Sequence, residues 1–201
     1  MIIIISSPGN LPDEAAIINE LFDAGLELFH LRKPDDTKDE MQGLLRKIKP
    51  EHYSKIILHQ HHSFAVEFGI NRIHFTEMKR KEMALEELNT TAIGNVLSTS
   101  IHYINDYEDL STLFEYTFYG PVFTSISKKD YASVVEDGLS LGGIKNKVNI
   151  IAIGGIKEDN INKVLDMGFD GVALLGAIWQ VPEDAIRNYK KIKNKCRIAV
   201  Q

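Results

Sequence analysis

Cysteine is almost missing from this chain: a single one, Cys196, stands among 201 residues. One thiol makes no intrachain disulfide and no cysteine zinc cluster, and it fits a reducing cytoplasm. Long apolar runs are missing as well. The opening "MIIIIS" (1–6) is too short for a signal h-region or a membrane span and has no basic segment before it, so it reads as a buried strand. A surplus of positive charge is the third absence. The 23 basic and 28 acidic side chains leave a net charge of −5, which gives no general basis for holding nucleic acid. The densest basic run, "YKKIKNK" (189–195), shares a helical pattern with apolar Ile186, Tyr189, Ile192 and Cys196, so it reads as the solvated face of a helix. No linker or low-complexity segment interrupts the chain. The expectation is one cytoplasmic globular domain, residues 1–201, with no nucleic-acid or membrane partner.

What is present is a recurring alternation. Short β-branched runs lie at 2–5, 27–31, 55–58, 72–75, 92–97, 116–120, 149–155 and 171–176. Amphipathic segments follow most of them, at 12–25, 38–48, 63–69 (Ser63 as N-cap), near 104–114, at 157–168 and from Pro182 onward. The stretch 76–91 is polar and poorly patterned. Apolar runs without strict alternation mark strands covered on both faces, as in parallel sheets. Eight such β-α units predict a single-domain (β/α)8 barrel, with a doubly wound open sheet as the alternative. In a barrel the chemistry belongs at the carboxyl ends of the strands.

The residues at those ends have the right chemistry for an anion. "IAIGGI" (151–156) places Gly154 and Gly155 at a strand end, where missing Cβ atoms let backbone N–H groups approach a phosphate. "GVALLGAI" (171–178) runs through Leu175 and Gly176 into a short helix start, a second anion cup. The bland alternative is a tight strand-to-helix turn. In "YGPVFTSISKKDY" (119–131), Ser125, Ser127 and Lys128 are donors for an anionic group or members of a polar surface loop. "HLRKP" (30–34) supplies His30, Arg32 and Lys33. An inward Arg32 needs an anionic partner. "LSTSIHY" (97–103) supplies Ser100 and His102, and the imidazole of His102 is a candidate general acid/base, unless it is structural or solvated as a lone histidine usually is.

Taken in order, these motifs resemble the thiamine phosphate synthase/TenI family. That family's Q/H-x-R-E-K corresponds to "HLRKP", and its S-x-H-T to "SIHY" (100–103). Its G-P-x-F-P-T-x-T-K corresponds to "GPVFTSISK" (120–128), and its last two glycine motifs to 152–156 and 171–178. The resemblance implies a (β/α)8 barrel acting on a thiazole phosphate of thiamine biosynthesis. It allows two activities. A synthase joins hydroxymethylpyrimidine diphosphate to the thiazole phosphate and needs Mg²⁺. A TenI-like tautomerase shifts a proton on a carboxythiazole phosphate and needs a histidine and a phosphate anchor, but no metal.

The synthase's I-N-D after strand three reads "LHQ" (58–60) here, with His59 and Gln60 in place of Asn and Asp. Its H-L-G-Q-x-D after strand four reads "HFTEMK" (74–79), which puts Lys79 where a metal-binding carboxylate is expected. Pro34 replaces the lysine of R-E-K, with Lys33 one position early. Glu77 serves a metal only in the synthase reading, where Mg²⁺ would be the cofactor. The expectation is therefore a TenI-like tautomerase without a cofactor, with a divergent synthase and a non-catalytic binder as alternatives.

"LHQHHS" (58–63) gathers His59, His61 and His62. It reads as His59 facing the pocket or as a polar turn, in preference to a metal site. Leu139–Leu141 and the surroundings of Trp179 read equally as core or interface, which leaves a homo-oligomer open.

Overall fold

The computed structural model describes residues 1–123, 139–142 and 147–198. Eight parallel strands close into a barrel in sequence order, with β8 returning to pair with β1. They are β1 Ile2–Ile5, β2 Leu28–Leu31, β3 Ile56–Leu58, β4 Arg72–Phe75, β5 Val96–Ile101, β6 Phe114–Tyr119, β7 Asn149–Ile153 and β8 Gly171–Leu174. The helices are α1 Glu14–Asp23, α2 Lys38–Leu45, α3 Phe64–Phe68, α4 Glu77–Glu82, α5 Leu85–Ala92, α6 Ile161–Asp166, α7 Gly176–Trp179 and α8 Ala185–Ile198. The open-sheet alternative is excluded by the β1–β8 pairing, which leaves no edge.

Two apolar clusters follow from strand alternation. Residues pointing outward, such as Ile4, Phe29, Leu31, Leu58 and Val172, pack under the helices. Residues pointing inward, Ile3, Ile5, Leu28, Ile57, Tyr116, Phe118, Ile151 and Ala173, fill the barrel. Trp179 belongs to the outer core at 7% exposure, and its indole N–H donates to the Ile5 carbonyl at 2.6 Å. Leu141 is buried too. Both therefore take the core reading over the interface one. In α8 the basic run lies outward while Tyr189 and Ile192 are buried, as the helical pattern requires.

Three local expectations are corrected. The fifth strand is not at 92–97. Residues 85–92 are helical, Gly94 turns the chain at φ +77°, and the strand begins at Val96. The weakly apolar "VLSTSI" is nevertheless buried over most of its length, because its hydroxyls find partners: Thr99 Oγ1 donates to the Phe75 carbonyl at 2.9 Å. The expected helix near 104–114 is a single 3₁₀ turn, Ile104–Tyr107. Ser63 does not cap α3, since its backbone is already helical and its side chain accepts no capping bond.

Candidate functional site

The barrel interior changes character along its axis. Toward the amino ends of the strands it is apolar; toward the carboxyl ends it carries imidazoles and hydroxyls. The inward sequence Leu28–His30 on β2, Ile57–His59 at the end of β3 and His74 on β4 makes this step. His30 is 0% and His74 2% exposed, and His59 is half-buried. His30 Nδ1 shares a proton with His59 Nε2 at 2.8 Å, and His30 Nε2 lies 2.6 Å from the Tyr116 hydroxyl. His74 Nδ1 lies 3.0 Å from Ser98 Oγ and its Nε2 3.0 Å from Ser100 Oγ. The His59 and His74 rings stack at 4.2 Å, and Phe118 packs against both His30 and His74.

Burial disfavours the charged form of every ring in this group. It holds His30 and His59 well below the usual imidazole range, with the neighbouring His74 adding to the effect in both. It holds His74 at about 3, helped by the positive character of His62 and Arg32. The same burial pushes the Tyr116 phenol above its usual range. Burial thus favours the neutral form of all three rings, in which one nitrogen of each carries the proton and the other a lone pair. His59 Nδ1 is buried with no hydrogen-bond partner among the described residues.

Around this plug lies the mouth. His102, half-exposed just past β5, is held through Nδ1 by the Glu77 carboxylate at the start of α4. Burial works to raise the Glu77 pKa, but hydrogen bonds from Lys81 (2.5 Å) and His102 outweigh it and lower it to about 2. Lys81 also reaches Asp106 at 2.9 Å, so the carboxylate sits in a fixed network. Arg32 is exposed, and its charge adds to the lowering of the His59 and His74 pKa values. Its backbone is clamped to Ser6, with N–H to Oγ at 2.9 Å and Oγ–H to the carbonyl at 2.8 Å.

Several expected contacts move. His30 does not reach the mouth; it lies beneath His59, bonded on both nitrogens. Lys33 is buried in an ion pair. It is 0% exposed, and its ammonium donates to Glu14 Oε2 at 2.5 Å and the Gly9 carbonyl at 2.8 Å. His61 and His62 leave the barrel: His61 takes a left-handed turn at φ +51°, and His62 packs edge-on against Phe75 of the outer core. His59 faces the interior, the first of the two readings. Ser125, Ser127 and Lys128 lie outside the described residues. Sequence reasoning missed His74 and Tyr116, whose signal is their position two residues from other inward side chains.

Gly154 and Gly155 take φ +97° and +64° at the end of β7. A Cβ on Gly154 would lie 2.6 Å from Pro121 Cα, and one on Gly155 2.8 Å from the Phe123 carbonyl oxygen. The chain beyond β6 is drawn onto this turn by Val122 N–H to Ile153 O (2.8 Å) and Phe123 N–H to Gly154 O (3.2 Å). The glycines are thus required by close backbone packing, whatever else they bind. Either Gly→Ala variant is expected to lose about 2–3 kcal/mol, from the left-handed backbone plus the clash, measured by urea denaturation. Leu175 opens α7, its carbonyl accepting from the Ile178 and Trp179 N–H groups.

The carboxylate-held Mg²⁺ that the family resemblance raises does not fit these residues. Gln60 spends its amide on the Lys33 carbonyl, Lys79 is a cation facing Glu87, and Glu77 is engaged by Lys81 and His102. Mg²⁺ demands hard oxygen ligands, and neither replaced position offers a carboxylate.

Comparisons with known proteins agree on the family. The description "Thiamine monophosphate synthase" matches residues 2–178. A thiamine-phosphate synthase of Listeria monocytogenes serotype 4b (strain F2365) is 26% identical over 200 residues, covering 92% of this chain and 89% of that protein. A thiamine-phosphate synthase of Staphylococcus epidermidis (strain ATCC 12228 / FDA PCI 1200) is 24% identical over 172 residues, covering 81% and 79%. Among solved structures, thiamine phosphate pyrophosphorylase from Bacteroides thetaiotaomicron superposes with a TM-score of 0.76 at 25% identity, covering 98% of both chains. The pyrophosphorylase from Pyrococcus furiosus, at 19% identity and TM-score 0.78 over 100% of this chain and 96% of that one, shares the fold. No helix among the described residues is long and apolar enough to cross a membrane. With a closed eight-stranded barrel and a family match over most of its length, the chain belongs to the thiamine monophosphate synthase family.

Proposed function

We propose that this family member works on a thiazole phosphate and moves a proton on it, a TenI-like tautomerisation of a carboxythiazole phosphate. The observation that carries the reading is the His102–Glu77 pair at the mouth. An ionised carboxylate on Nδ1 fixes the tautomer that carries Nδ1–H, which leaves Nε2 as the base for a substrate proton. Arg32 supplies a charge partner for the ring carboxylate, and the turns at Gly154–Gly155 and Leu175–Gly176 would present backbone N–H groups to the phosphate. Neither function needs a metal, in keeping with the missing carboxylates at positions 60 and 79.

The second reading is a divergent synthase, and the names of the relatives favour it. It requires a way to hold diphosphate that these residues do not supply through carboxylate-bound Mg²⁺. Two assays on purified protein separate the readings. Interconversion of carboxythiazole phosphate tautomers, followed by NMR, is expected, and His102→Asn should lower it at least about 100-fold while phosphate-ester affinity stays within a few-fold. Mg²⁺-dependent formation of thiamine phosphate, without tautomerisation, would give the protein to the second reading. Binding without either turnover would leave a non-catalytic binder.

A further inference from the structure

The interior trio His30, His59 and His74 is larger than the proposed proton transfer needs, since His102 alone moves the proton in that scheme. We infer that His30, His59 and His74 form a binding site for one first-row transition-metal ion of the zinc class, seated in the barrel axis beneath the mouth. One nitrogen from each of the three rings lies within 4.8 Å of the others. Nitrogens bound to a tetrahedral ion at about 2.0–2.1 Å stand roughly 3.3 Å apart. Shifts of about an ångström convert one arrangement into the other. The ion takes the place of the proton now shared by His30 Nδ1 and His59 Nε2, and His74 turns its Nε2 from Ser100 toward it. The His59 ring rotates out of its stack on His74 to aim at the metal.

A further observation points the same way. A ligating histidine is normally oriented by a bond to its other nitrogen, and here Tyr116 holds His30 Nε2 and Ser98 holds His74 Nδ1.

Three neutral ligands leave a divalent ion doubly charged, and the fourth position is open to water, hydroxide, or a carboxylate or phosphate oxygen of a ligand. A site of three histidines and one open position is the pattern of zinc centres that bind a reactant. The inference stands apart from the thiazole reading, and it is tested with the metal alone.

Untagged, chelator-treated protein is titrated with Co²⁺ at pH 7 and followed by its visible absorption, then displaced with Zn²⁺. The expected result is one ion per chain with the intense bands of four-coordinate cobalt. The half-exposed His59→Ala and the polar-for-polar His74→Asn variants should each weaken binding at least about 100-fold. A His61→Ala/His62→Ala variant should bind as wild type. Circular dichroism keeps loss of binding distinct from loss of fold. Weak six-coordinate bands, binding untouched by His59→Ala, or binding lost in the His61/His62 variant would each overturn the site and leave the trio as a hydrogen-bonded plug.

Discussion

Glu14→Ala is expected to destabilise the protein by about 3–5 kcal/mol, a large share of the roughly 5–15 kcal/mol that holds a domain of this kind together. The Lys33 ammonium and the Glu14 carboxylate are both buried, 2.5 Å apart, and the only other contact of the ammonium among the described residues is the Gly9 carbonyl. Removing the carboxylate strands a cation in the interior. Burial pushes the Glu14 carboxyl upward, against the bond from Lys33, and its Oε1 has no partner among the described residues. The pair is therefore a costly way to tie the segment after β1 to the end of β2. Glu14→Leu with Lys33→Met should recover most of the loss, because an apolar pair of similar volume carries no desolvation cost. Chemical denaturation of the two variants checks this. If Glu14→Ala leaves stability unchanged but weakens phosphate binding, Lys33 belongs with the substrate after all.

Acid should unfold the protein early and steeply. In the folded chain His30, His59 and His74 stay neutral far below the ordinary imidazole range, whereas in the unfolded chain each takes up a proton near pH 6.5. Groups with a depressed folded pKa contribute stability that is complete above the unfolded value and lost as pH falls. With three such rings the slope approaches about 4 kcal/mol per pH unit, at about 1.4 kcal/mol per proton. The loss begins near pH 6.5 and continues toward about 3, the folded value for His74. Glu77 adds a smaller loss in the same direction, from its unfolded value of 4.5 down through about 2, reduced by the solvent around Lys81 and His102. Urea midpoints at half-unit pH steps measure the slope, and His59→Gln should remove about a third of it. A flat profile between pH 6.5 and 5 would mean that the rings gain charge without disturbing the fold.

Strand order and barrel closure are legible in the sequence because each doubly covered strand carries its own apolar run. The exception, β5, is instructive. Between buried Leu97 and Ile101 it also buries Ser98 and Thr99, whose hydroxyls are satisfied locally, so the apolar signal is thin while the burial is real. At the site, the shared facing of His30 and Arg32 follows from strand alternation, but depth does not. Nothing in "HLRKP" says that His30 lies under His59 or that the Lys33 partner is Glu14, 19 residues earlier. His74 hides in "RIHF", which reads as an ordinary apolar strand, and Tyr116 in an aromatic one. Both acquire meaning only when β2, β3, β4 and β6 are wound around one axis.

The closure of β8 onto β1 has a consequence for how the chain is made. Ile2, Ile3 and Ile4 pair with Val172, Ala173 and Leu174, and the Met1 amino group donates to the Asp170 carbonyl 169 residues away. During synthesis the first strand, four consecutive isoleucines, leaves the ribosome long before its second neighbour exists. For that interval one side of β1 is an unpaired, strongly apolar edge, the kind that invites pairing with another chain. The same contact that seals the finished barrel is the last that its nascent form can make.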